Sequence, residues 1–106
     1  MSKQTLGDFE QLVLLGCLCL GDEAYAGGIV DQIQGRTGRE VAHAAVYVAL
    51  RRMEQQGLVS SRLGEPTAER GGRAKRYFDV QLRGRELLKA SREALMNMWE
   101  GVESVS

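Results

Sequence analysis

A small, mainly helical domain carrying one β-hairpin is the fold class this sequence predicts. Three observations predict it. Apolar residues recur at helical spacing in four separate segments. A stretch rich in glycine and arginine lies between two short β-prone runs. Positive charge is concentrated in the middle of the chain, where those runs and the helix before them fall. The length of 106 residues suits one domain, and 43% hydrophobic with 26% charged residues is a globular composition. A chain this short buries only about 65% of its unfolded surface, so a single copy is modestly stable.

Residues 6–20 read as the first helix. Phe9, Leu12, Val13, Leu14, Leu15, Cys17, Leu18 and Leu20 make it apolar nearly all round. Such a helix is buried on more than one side, the second side facing another subunit. Gly21-Asp22-Glu23 ends it. Residues 25–34 read as a short second helix with Ile29 and Ile33 one turn apart, and Gly27 and Gly28 near its start would permit close helix approach. Residues 35–39 read as a turn.

Residues 41–56 read as the third helix. Val46, Leu50 and Met53 form its inward stripe; Ala44, Val48, Arg51, Arg52 and Gln55 form the opposite face, with Tyr47 on the flank and Gly57 as the stop. Residues 58–63 and 77–82 read as strands. In the second, Phe78, Val80 and Leu82 alternate onto one face and Tyr77 and Asp79 onto the other. Residues 84–102 read as a long last helix. Leu88, Ser91, Leu95, Met98, Val102 and Val105 run along it as a heptad-like seam, interrupted at Ser91.

The order helix, helix, helix, strand, basic loop, strand, helix is that of a winged helix-turn-helix followed by a C-terminal dimerisation helix. The boundary falls between residues 1–82 and residues 83–106. The formal charge is zero overall, but residues 1–35 carry −4, residues 36–85 carry +6 and residues 86–106 carry −2. One positive face on a neutral particle suits double-stranded DNA. In this plan the third helix enters the major groove and the wing lies along the backbone. Ala44 and Val48 suit thymine methyls, while Arg51 and Arg52 suit guanine or phosphate, with His43 and Tyr47 beside them. Arg70-Gly71-Gly72-Arg73-Ala74-Lys75-Arg76 holds four bases and no acid. If the strand alternation extends back, Arg73 and Lys75 share a face and grip phosphates with Arg76. Either feature alone is also what a solvated helix face or a solvated charged loop looks like; the two in this order favour DNA. A winged-helix protein–protein module without DNA binding is the alternative, supported by the zero net charge.

Other classes find little support. His43 has no acid or nucleophile partner at a telling spacing, and no phosphate-binding glycine motif follows a strand. No metal-ligand spacing appears, and no cofactor is called for. Cys17 and Cys19 point about 200° apart on a helix and cannot bridge one another; in so apolar a helix they are read as buried thiols, which fits a reducing cytoplasm. The apolar run at residues 12–20 is too short to span a bilayer, which takes about 20 residues. The expectation is a soluble cytoplasmic protein with no membrane partner.

Over nearly its full length the chain resembles the PadR family of bacterial winged-helix regulators. The resemblance is carried by Phe9-Glu10 with residues 12–15, Gly21-Asp22-Glu23-Ala24-Tyr25, Val46-Tyr47, Leu50, Arg52, Glu54 and Gly57-Leu58-Val59. Gly71-Gly72-Arg73-Ala74-Lys75-Arg76-Tyr77-Phe78 and Gly84 complete it. The short tail is similar to the subgroup with a single C-terminal helix. The resemblance implies a homodimer whose last helix packs on the partner's first and last helices. It also implies repression at a roughly palindromic operator, often relieved by a small apolar molecule. The interface would take Leu15, Leu88, Leu95, Met98, Trp99 and Val102. Some relatives bind planar drugs between helices, and Leu15, Met96 and Trp99 would bound such a slot for an aromatic effector. The chain departs from the family at Ala26, Ala42, His43, Gln81 and Leu82. Of these, Ala42 and His43, with Ala44, lie where base contacts begin.

Overall fold

The computed structural model describes residues 4–65 and 74–102. The first helix, α1 (Asp8–Leu20), starts where the Glu10 carboxylate accepts the Gly7 N–H at 2.8 Å. Asp8 and Glu10 in its first turn complement the positive end of the helix dipole. A single 3-10 turn (Gly21–Glu23) leads to α2 (Ala26–Thr37). The second helix runs three residues beyond the expected end. The Thr37 hydroxyl donates to the Ile33 carbonyl, and only Gly38, at φ 73°, closes the helix. Helix α3 (His43–Gln55) follows, stopped by Gly57 at φ 78°.

The hairpin pairs β1 (Val59–Leu63) with β2 (Arg76–Val80), antiparallel, with Ser61 opposite Phe78 and Arg62 opposite Tyr77. Leu82 is not in the strand. The Phe78–Val80 alternation stops at Gln81, whose extended backbone caps α4 (Leu82–Glu100), and Leu82 is exposed on its first turn. The last helix therefore begins two residues early. Cys19 also departs from expectation. It is exposed, whereas Cys17 is buried with its thiol donating to the Phe78 carbonyl at 3.2 Å.

The core lies between α1, α2, α3 and the inner face of the hairpin. Val13, Leu14, Ile29, Val46, Leu50, Met53, Leu58 and Phe78 are its largest fully buried side chains. Two glycines set close approaches. A Cβ on Gly16 would meet Ile29 Cγ2 at 3.0 Å, where α1 crosses α2. One on Gly84 would meet the Leu58 carbonyl oxygen at 2.6 Å, where α4 leaves the hairpin. The Phe78 N–H donates to Ala24 O at 2.8 Å and thus ties the hairpin to the entry of α2. Among the described residues no helix is long and apolar enough to cross a membrane.

Candidate nucleic-acid interface

Four buried positions on α3, Val46, Ala49, Leu50 and Met53, fix which side of that helix faces out. His43, Ala44, Tyr47, Val48, Arg51, Arg52 and Gln55 are exposed. Tyr47 is anchored by its ring, which meets Phe78 edge-on with centroids 6.2 Å apart. His43 is the first residue of α3. Ala42 before it has an extended N-cap backbone but no side chain to accept a hydrogen bond.

The hairpin brings its cations to the same side. Lys75 stands just before β2, with its Nζ 4.0 Å from the centre of the Tyr25 ring. Arg76 points to the inner face of the hairpin and donates to the Ser61 hydroxyl at 2.9 Å. Ser61 in turn donates to the Glu54 carboxylate at 2.5 Å, and Glu54 also lies 3.5 Å from Arg51 Nε. Arg51 and Arg76 thus belong to one network centred on a half-buried carboxylate of α3. Tyr25, Ala26, His43, Tyr47, Lys75 and Arg76 line one cleft of about 150 Å³ between the start of α3 and the loop end of the hairpin. Arg73, with Arg70, Gly71 and Gly72, lies outside the described residues.

Sequence reasoning missed Tyr25, Glu54, Ser61 and Arg62 at this surface. From the sequence Tyr25 reads as a helix start and as part of the motif at residues 21–25, not as a surface residue beside the hairpin. The signal that could have found Arg62 is its place opposite Tyr77 in the hairpin register, which puts both on the outer face.

On the far side of the domain, Leu88 is buried in its own chain, while Leu15 (47% exposed), Leu95 (56%), Met98 (72%), Trp99 (55%) and Val102 (51%) are open. Leu15, Met96 and Trp99 line one groove of about 500 Å³, whose rim includes Arg85, Lys89 and Arg92. Burial pushes the Cys17 thiol up to about 11, the nearby Asp79 charge adding to the effect, so it is not a thiolate at neutral pH. Among the described residues no three His, Cys, Asp or Glu side chains come together as a metal site.

Comparison with known proteins places this geometry. The chain is similar to a transcriptional regulator from Clostridium thermocellum at TM-score 0.71 and 22% identity, over 92% of this chain and 91% of that one. It is similar to a PadR family regulator from Clostridium difficile at TM-score 0.70 and 19% identity, over 90% and 95%. It also matches part of the Aeropyrum pernix ORC1 protein, solved in complex with DNA, at TM-score 0.62 and 21% identity. That match covers 88% of this chain and 26% of that one. At these identities the likeness shows the winged-helix fold. No curated protein sequence matches. The sequence model of the transcriptional regulator PadR-like family matches residues 14–90, and with most of the chain inside that match this protein belongs to the PadR-like family of transcriptional regulators.

Proposed function

We propose that this protein regulates transcription in the cytoplasm by binding double-stranded DNA as a homodimer. In this reading α3 enters the major groove and the loop end of the hairpin holds the phosphate backbone. The observation that carries it is the shared cleft. The start of α3, through His43 and Tyr47, and the hairpin cations Lys75 and Arg76 face one space. A major groove about 12 Å wide admits the small outward face of Ala44 and Val48. Arg51 and Arg52 extend that face toward the C-terminal end of α3. The unit of residues 1–82 would read DNA, and residues 83–106 would join two copies. Two copies about a two-fold axis call for a roughly palindromic operator.

Sites selected from a random DNA library, followed by titration across salt, test this. Lys75→Ala lowers affinity for all sequences and flattens the slope of log K against log salt by about 0.9. Substitution of His43, Ala44 or Val48 changes which site is preferred more than overall affinity. A chain that selects no site at low salt is instead a protein-interaction module.

Repression with release by a small apolar effector completes the reading, supported by the groove of Leu15, Met96 and Trp99. Planar aromatic cations or phenolics would quench Trp99 saturably and weaken DNA binding by a factor that DNA reciprocates. A panel that does neither removes the effector from the reading.

A further inference from the structure

The outer face of the hairpin and the entry to α2 carry an arrangement that the reading above does not use. Four side chains run along it, two rings between two cations. The Arg62 guanidinium lies 4.9 Å from the centre of the Tyr77 ring. That ring meets Tyr25 edge-on, with centroids 6.2 Å apart and planes at 74°. The Tyr25 ring receives the Lys75 ammonium at 4.0 Å. The far end is tied as well, because Arg62 Nη2 donates to the Asp22 carbonyl at 2.8 Å.

Glycines hold both rings in place. A Cβ on Gly27 would sit 3.0 Å from Tyr25 Cε2, and one on Gly28 would sit 3.1 Å from Tyr25 Cε1. A Cβ on Gly64 would sit 2.4 Å from Tyr77 Cε2. The rings therefore lie flush on bare backbone at three points. Gly27 and Gly28 admit the helix's own tyrosine ring, and Gly28 also admits the neighbouring α1, whose Leu20 Cδ1 would lie 2.9 Å from a Cβ there.

A lysine at the root of a glycine-rich loop ordinarily samples many rotamers, and holding it has an entropic cost at binding. Here the negative face of the Tyr25 ring holds the ammonium at the rim of the cleft shared with His43 and Tyr47. A ring face engages one side of an ammonium and leaves N–H donors for a phosphate oxygen. We infer that Tyr25 is a positioning residue for DNA binding: the ladder Arg62–Tyr77–Tyr25–Lys75 presets the Lys75 ammonium for one backbone phosphate. This rests on the DNA-binding reading, with Lys75 as a phosphate contact.

The test grades the ring's electrostatics at constant shape. Tyr25→Phe keeps the ring and stays within about twofold of wild type in operator affinity. Replacing Tyr25 by a trifluorinated phenylalanine drains the ring face with little change of volume. It should weaken operator binding about three- to tenfold relative to Tyr25→Phe. In a Lys75→Met background that difference should vanish. A second readout needs no DNA. The Lys75 side-chain protons nearest the ammonium should be ring-shifted upfield in NMR spectra of the free protein, and less so with the fluorinated ring.

If the fluorinated variant matches Tyr25→Phe in both readouts while Lys75→Met still weakens binding, Tyr25 only packs, and the inference is overturned alone. If Lys75→Met leaves affinity and salt slope unchanged, the phosphate reading of Lys75 falls and the inference with it, even with the ring shift intact.

Discussion

At Gly84 the missing side chain sets the geometry. A Cβ there would lie 2.6 Å from the Leu58 carbonyl oxygen and 2.9 Å from Val80 Cγ1. The first obstacle is backbone, already accepting the Gln81 N–H at 2.8 Å, and it cannot swing aside as a side chain would. Gly84→Ala should therefore destabilise the fold by about 1–3 kcal/mol in chemical denaturation, the range of an overpacked contact. An unchanged midpoint and slope would mean that α4 shifts freely on the hairpin. In the sequence Gly84 marks the start of a helix and one point of the family resemblance, with no packing role attached. Its contact joins parts of the chain far apart in sequence, and spacing carries no sign of it. The two thiols differ, because their spacing alone sets them on different sides of the helix. Both lie in an apolar run, yet Cys17 falls on the face against Phe78 and Cys19, about 200° round the helix, in solvent.

The elements were the more legible level, because helical and strand periods are local. Val46, Leu50 and Met53 identified the buried side of α3, and all three are fully buried. Boundaries were legible only where a stop residue acts alone. Gly35 marked no end for α2, since helix propensity yields there to one further turn before Gly38. The candidate DNA surface divides the same way. Its α3 half follows from period, whereas Tyr25, Arg62 and Glu54 join it through hairpin register and tertiary packing. The start of α3 offers an element-scale prediction. Ala42 already has the extended backbone of an N-cap and lacks only the acceptor. Ala42→Ser should raise stability by about 0.5–2 kcal/mol, read as a higher denaturant midpoint. No gain would mean that another group already satisfies the first amides of α3.

For the whole molecule, the uneven burial of α4 is the guiding feature. Gly84, Leu87 and Leu88 are its buried residues, while Leu95, Met98, Trp99 and Val102 are left in water by their own chain. A seam of this kind marks an interaction surface, and a second copy fits the two-fold DNA reading. Introducing Met98→Glu with Val102→Glu alters no core contact of the single chain. If the proposed homodimer forms along this seam, the change should turn a sedimenting dimer into a monomer that keeps its helical spectrum. A double variant that remains dimeric would move the interface elsewhere. The exposed seam also bears on the lifetime of the protein. If two copies pair along it as proposed, an unpaired copy presents greasy helix to quality-control proteases while a paired copy hides it, and survival would rise with copy number by mass action. Each molecule would then be spared or destroyed according to how many of its own kind are present, which makes a cell's supply of the regulator self-thresholding before any effector or promoter is involved.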